Sequence, residues 1–235
     1  DRGPCLGLGT ERVRQEREAG TEGLDAVAAA GDVDGLDEGG PAAFIQQALF
    51  PKIAPQIPGF SLEGQCVPAD AVGGDWFDYI PLPEGRWGLV LADVSGKGMA
   101  AALLMSTTRG LLRSIAESVT SPAAVMSRLN CVLLEDFPAG KFVTMVYAVL
   151  DPARRLLTFA NAGHPWPLYV DGDPHFLQTK SGLPLGLVDC PFDEHSVTLP
   201  AGSRLLLYSD GITEAVNAAG EEYGVERLRD YALGK

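Results

Sequence analysis

No stretch of about 18 uninterrupted apolar residues occurs in the 235-residue chain, so no segment is expected to span a membrane as a helix. A basic surplus is missing too. Eighteen Lys and Arg stand against 31 Asp and Glu, a formal charge of −13. That balance argues against a nucleic-acid surface, which would show a basic patch. The four cysteines, Cys5, Cys66, Cys131 and Cys190, form no CxxC pair, and they read as thiols in a reducing, cytoplasmic compartment. The chain opens at Asp1 without a methionine or a basic-then-apolar leader, and reads as a piece of a longer product.

Residues 1–40 hold ten acids and four bases, with Gly and Ala but almost no large apolar side chains. Such a stretch buries too little apolar area to offset its ordering entropy, so a disordered acidic linker or tail is expected there. A single domain is expected over 41–235. It begins with a helix in "PAAFIQQALFP", where Phe44, Ile45, Ala48 and Leu49 recur at helical spacing and Pro51 ends the run. Strands are expected at 60–67, 75–82 and 87–93, the last two joined by a Pro83-Glu84-Gly85 turn. Two helices follow, at 99–119 and 121–136, the second with Ser121 as N-cap and Pro122 at its first position. Strands return at 142–150, 156–160, 167–170, 175–178, 196–199 and 204–209, and a last helix lies at 223–233. Strands, paired helices and more strands predict an α+β fold, helices covering antiparallel sheets.

The stretch "LVLADVSGKGMAAALL" (89–104) admits two readings. Gly96, Gly98 and Ala101 satisfy G-x-G-x-x-A between a strand and a helix, the local context of a dinucleotide loop. The βαβ unit around it is missing, because a second helix stands where a parallel strand is required. A phosphate-binding P-loop fails, since Gly98 follows Lys97 where Ser or Thr is needed and position 91 is Leu. The other reading is a cation site. Asp93 and Asp210 each end an apolar strand, a rigid mount, with Gly close behind. Asp75 opens the strand that hairpins onto the Asp93 strand, which places both acids on one rim. Carboxylates without thiols or imidazoles suit hard ions, Mg²⁺ or Mn²⁺, although Asp at a strand end is also a common turn former.

The run "VPADAVGGDWFDYIPLPEGRWGLVLADVSGKGMAAALLM" (67–105) closely resembles the signature of the bacterial SpoIIE/RsbU-type phosphatases, metal-dependent serine/threonine phosphatases of the PPM (PP2C-like) family. Further matches are "IQQALFP" (45–51), "FVTMVYAVLD" (142–151), "ANAGHPWPLYV" (160–170), "GLPLGL" (182–187), "LLLYSDGITEA" (205–215) and "YGVERL" (223–228). The resemblance implies a PP2C-like α/β sandwich of two antiparallel sheets flanked by helices. It implies that Asp75, Asp93 and Asp210, with the Val94 carbonyl, hold two Mn²⁺ or Mg²⁺ ions and act through a water those ions activate. No protein nucleophile is required, consistent with the absence of a G-x-S-x-G elbow and of a cysteine phosphatase loop. The implied substrate is phosphoserine or phosphothreonine on a regulatory protein, an anti-sigma-factor antagonist of the STAS fold. An upstream sensor domain and a homodimer are implied as partners. The other reading is a non-catalytic binding module that keeps the fold with an incomplete metal site.

The chain departs from the family pattern in three places. The family's further aspartate, in a C-terminal "DD-x-T/A-L" strand, has no counterpart before Lys235. Ser95 stands where eukaryotic relatives carry a histidine, and their phosphate-binding arginine has no evident match. Asp78, three residues from Asp75, points to the opposite face of a regular strand and reads as structural. Lys97 reads as a solvated loop lysine and His164 as a loop-ordering hydrogen bonder. His175 and His195 read as incidental. Trp76, Trp87 and Trp166 are expected in the core or on a sheet surface, and Met99, Leu103 and Met105 in the core.

Overall fold

The computed structural model describes residues 5–10, 40–67, 71–179 and 182–233. Among the described residues ten strands form two five-stranded sheets. The first has the order β3(Trp76–Pro81), β4(Trp87–Val94), β5(Val143–Asp151), β6(Leu156–Ala162), β9(His195–Thr198), antiparallel throughout. The second has the order β2(Ser61–Cys66), β1(Cys5–Thr10), β10(Arg204–Tyr208), β7(Leu168–Asp171), β8(Asp173–Phe176). Its β10, β7 and β8 are antiparallel neighbours, whereas β1 runs parallel to both β2 and β10. The linker expected over 1–40 therefore contains one strand, β1, whose main chain fills the place between β2 and β10. The rest of that segment lies outside the described residues.

Helices cover both outer faces. α1(Gly40–Leu49), α2(Gly98–Ala116) and α3(Pro122–Asp136) precede β5, and α4(Asp210–Thr213) and α5(Gly224–Ala232) follow β10. One core lies between the first sheet and α2 and α3, where Trp76, Val90, Met105, Leu112, Met126, Leu129 and Tyr147 are fully buried. A second lies between the sheets, built from Phe77, Leu89, Leu91, Val146, Phe159 and Leu205. A third packs Leu168 and Tyr208 against Ile212 and Leu228. The result is four layers, and each fully buried large side chain contributes about 1.5–3 kcal/mol.

Local chemistry explains the boundaries. The Ser121 hydroxyl accepts from Ala124 N at 3.1 Å as the expected N-cap, with Pro122 behind it. Glu194 reaches the same helix start, accepting from the Ser121 hydroxyl and from Ala123 N. Cys66, Cys131 and Cys190 keep their thiols, as expected. Among the described residues no helix is long and apolar enough to cross a membrane.

Two expectations about packing fail. α1 buries Ala43 and Gln46, while Phe44 and Ile45 are 75% and 60% exposed. Small side chains win at that contact because Ala42 and Ala43 let the helix approach Val72 and Ala102 closely, and the Gln46 amide makes two hydrogen bonds that an aliphatic residue cannot make. Met99 and Leu103, expected in the core with Met105, are exposed on the outer side of the first turns of α2. Trp166 is exposed as well, whereas Trp76 is fully buried.

Candidate functional site

Strand register places the first two acids. Trp76 faces Ala92, and Val94 N donates to Gly74 O at 3.3 Å. One step past the last ladder pair, Asp75 therefore stands opposite Asp93. Directly opposed residues share a face, with Cβ atoms about 4.5–5.5 Å apart. On the far side of β4, Asp93 faces Thr144 of β5. Asp75, Asp93 and Thr144 thus form a row across three strands. Leu89 and Leu91 lie in the layer between the sheets, and Asp93 continues their alternation to the mouth of that layer. Asp78 falls on the opposite face. It is fully buried, bound by Arg113 at 2.6 and 2.7 Å and by Arg109 at 3.0 Å. Its role is structural, as the three-residue spacing predicts.

Gly74 is what lets the row close up. A Cβ there would collide with the Val94 carbonyl oxygen and sit 3.0 Å from Asp93 Oδ1, so only glycine permits this close approach of the two strands. The loop is braced from two sides. Gln46 of α1 donates to Gly73 O at 2.6 Å and accepts from Gly73 N at 3.0 Å. The Cys66 thiol donates to Asp75 O at 3.6 Å. On the neighbouring loop Ser95 N donates to Phe142 O at 2.9 Å, and the Ser95 hydroxyl accepts from Phe142 N at 2.9 Å. Ser95 is thereby a loop tie. Lys141 Nζ donates to Ser95 O at 3.3 Å and stands over Gly96. Lys97 is exposed, as expected.

Asp210 arrives from the other sheet, at the start of α4, and is exposed. Beside the row stands His164. The His164 main chain is clamped by Asn161, whose side chain accepts from His164 N at 2.8 Å and donates to His164 O at 2.9 Å. Its Nδ1 lies 2.9 Å from Thr144 Oγ1. Burial pushes the ring down to about 3 from its ordinary 6.5, opposed by the Tyr208 main chain, so the imidazole is neutral. Tyr208 ends β10, two residues before Asp210. Asp210 thus lies two residues beyond the main chain that acts on His164. Among the described residues, however, no three His, Cys, Asp or Glu side chains meet in a group that could hold a metal ion.

The donor chemistry, two opposed carboxylates beside a main-chain carbonyl, is of the oxygen type that hard divalent cations take. A dinucleotide does not fit. Gly96 and Gly98 do adopt positive φ, +104° and +69°, but β4 has only antiparallel neighbours and α2 leads into α3, so there is no βαβ unit. Gln46, Thr144 and Lys141 are contributors that the sequence reading missed. Thr144 sits beside Asp93 only through sheet pairing, which no local pattern announces.

Comparison with known proteins agrees with this geometry. Residues 83–235 match the family model of Stage II sporulation protein E (SpoIIE). The phosphoserine phosphatase RsbU of Bacillus subtilis is 34% identical over 176 residues, 74% of this chain, and the chain spans about half (52%) of that relative's length. The RsbU and RsbW domains of Rv1364c from Mycobacterium tuberculosis superpose with a TM-score of 0.62 at 29% identity, covering 72% of this chain and 47% of that one. The SiaA-PP2C domain of Pseudomonas aeruginosa reaches 0.67 at 23% identity over 80% of this chain and 77% of its own, a likeness of fold. A sandwich whose paired aspartates open one end, joined to a family match over most of the domain, makes this chain a member of the SpoIIE/RsbU-type PPM (PP2C-like) phosphatase family.

Proposed function

We propose that the chain is a protein serine/threonine phosphatase that removes phosphate from phosphoserine or phosphothreonine on a regulatory protein. The observation that carries this reading is the opposition of Asp75 and Asp93 beside the close backbone approach of Gly74 to Val94. Two Mn²⁺ or Mg²⁺ ions held by Asp75, Asp93, the Val94 carbonyl and Asp210 would supply the Lewis acidity for water attack on phosphorus and offset charge on the phosphoryl oxygens. The chain's own residues bind and orient. Gly74 lets the two strands approach closely, Gln46 and Cys66 hold the Asp75 loop, and Ser95, tied to Phe142, fixes the loop after Asp93. Ser95 stands where eukaryotic relatives carry a histidine, and leaving-group protonation is assigned to water.

The further parts of this proposal are a substrate of the anti-sigma-factor-antagonist class, a STAS-fold phosphoprotein in a sigma-factor control circuit, with an upstream sensor domain and a homodimer as partners; the likeness to the phosphoserine phosphatases RsbU and RsbP supports the phosphoserine chemistry. A cytoplasmic location fits the thiols. The second reading, a non-catalytic binding module, is favoured by the exposure of Asp210 and by the lack of a three-acid group among the described residues. Phosphate release from a phosphoserine STAS protein decides between them. Mn²⁺-stimulated turnover abolished by Asp93→Asn is the expected result. Stable binding of the substrate without turnover at any Mn²⁺ or Mg²⁺ concentration would establish the binding module instead.

A further inference from the structure

Neither "ANAGHPWPLYV" (160–170) nor "GLPLGL" (182–187) supplies an acid to the row, yet both are fixed firmly beside it. Leu185 is fully buried and pairs with Val143, its N donating to Val143 O at 2.8 Å and its O accepting from Val143 N at 2.9 Å. Asn130 of α3 accepts from Gly186 N at 2.8 Å and donates to Val188 O at 3.0 Å. From the other run, Gly163 backs onto the same segment. A Cβ there would stand 2.8 Å from Gly182 O and from Pro184 Cγ, at a φ of +68°, so only glycine permits the contact. Hydrogen bonds and close packing thus hold a segment that belongs to no helix and to none of the ten strands. What it presents outward is apolar. Leu183 is 50% exposed, with Leu187 and Val188 nearly as open, and Trp166, three residues past Gly163, is 43% exposed. Single exposed apolar side chains are ordinary. Four of them on two touching segments, carried by a backbone already fixed, make a preorganised surface of the kind that partners cover.

Position selects the occupant. Val143, the partner of Leu185, precedes Thr144, which stands opposite Asp93. The Thr144 hydroxyl in turn meets His164, the residue after Gly163. Both segments therefore adjoin the β5 side of the acid row. A phosphoseryl side chain is short, so a protein whose phosphate reaches Asp93 must lay the chain around its phosphoserine on this rim. Net charge does not help it there. The chain carries −13 and each phosphoserine brings about −1.5 to −2, so apolar burial is left to supply the attraction.

We infer that Leu183 and Trp166 anchor a docking surface for the phosphoprotein substrate, receiving apolar side chains that flank its phosphoserine. The inference rests on the phosphatase reading and names where that reading's protein substrate sits. Aromatic and apolar anchors on a rigid backbone are where truncation costs an interface most.

The test gives the 235-residue chain, with Mn²⁺, two substrates. A phosphoserine STAS protein is large enough to cover the rim, and p-nitrophenyl phosphate is too small to reach it. Leu183→Ser and Trp166→Ser are each expected to raise KM for the phosphoprotein about tenfold or more, with its kcat and both constants for the small ester unchanged. Thermal unfolding checks the fold of each variant, and Leu187→Ser stands in for either one that does not fold. An unchanged phosphoprotein KM, an equal loss on both substrates, or release from the small ester alone would overturn the docking surface. Sedimentation tests the rival occupant: a parent dimer that Leu183→Ser converts to monomers would assign the face to a second copy and overturn the proposal. Asp93→Asn separates this from the phosphatase reading. If it abolishes release from both substrates while the rim variants match the parent, only the docking surface fails. If the parent chain releases phosphate from neither substrate, the phosphatase reading and the docking surface fail together.

Discussion

His164 makes a quantitative prediction about acid. Its ring is held down at about 3 by burial, against 6.5 when solvated. Between those values the unfolded chain binds a proton that the folded chain refuses, so stability falls as the pH drops through this window and is fully present above it. Each pH unit inside the window is worth about 1.4 kcal/mol. Going from about pH 7 to about pH 5 crosses the ordinary value but stays above the depressed one, and the loss comes to about 2 kcal/mol. That is a sizeable part of the 5–15 kcal/mol typical of a folded domain. Urea unfolding of the cation-free protein at the two pH values, for the parent and for His164→Gln, isolates the contribution. Glutamine does not titrate, and groups that titrate alike in both proteins cancel in the difference. The parent should lose about 2 kcal/mol more than the variant on acidification. Equal losses in the two proteins, within the error of extrapolation, would show that the imidazole is solvated or already charged, and the account of a dry, neutral ring would be refuted.

Other perturbations give equally direct outcomes. Gly74→Ala forces the Val94 carbonyl and the Asp93 carboxylate aside; about 1–3 kcal/mol of stability should go, and Mn²⁺ affinity measured by calorimetry should fall with it. Gln46→Ala strips both bonds from Gly73 and should cost about 1–3 kcal/mol by denaturant unfolding, with weaker Mn²⁺ binding because Asp75 is two residues away. Arg113→Met leaves the fully buried Asp78 with Arg109 as its remaining ion partner; a loss of about 3 kcal/mol is expected, and Mn²⁺ affinity per folded molecule should stay put because that carboxylate faces α2.

Much of this architecture is legible in the residues because the determinants are local. Ser121-Pro122 announces the start of α3, and the alternation in "WGLVLAD" announces β4. The opposition of Asp75 and Asp93 also follows from a hairpin, whose short turn sets the register. What stays hidden depends on contacts distant along the chain. Thr144 meets Asp93 across 51 positions of sequence, a span set by two intervening helices. The face chosen by α1 is hidden for another reason. Periodicity marks Phe44 and Ile45 as the inner side, yet a close helix–helix approach and a pair of amide hydrogen bonds outweigh their apolar area, so Ala43 and Gln46 turn inward. Asp210 shows the limit of motif reasoning, since the strand end is correctly placed while its side chain lies exposed rather than gathered with the other two.

The Asp78–arginine cluster bears on how β3 finds its place at all. Five of its six residues are buried on both faces, so apolar alternation says little about which way the strand should sit, and a slide by one residue would keep most of its greasy surface covered. The charge breaks that tie. A one-step slide would drop Asp78 into the apolar layer between the sheets, away from both guanidinium groups, and would leave two arginines stranded beneath α2. A misfolded pairing is thereby penalised by an ionic group that takes no part in chemistry, and Asp75 reaches the mouth of the sandwich because a different carboxylate, three residues along, tolerates no other alignment.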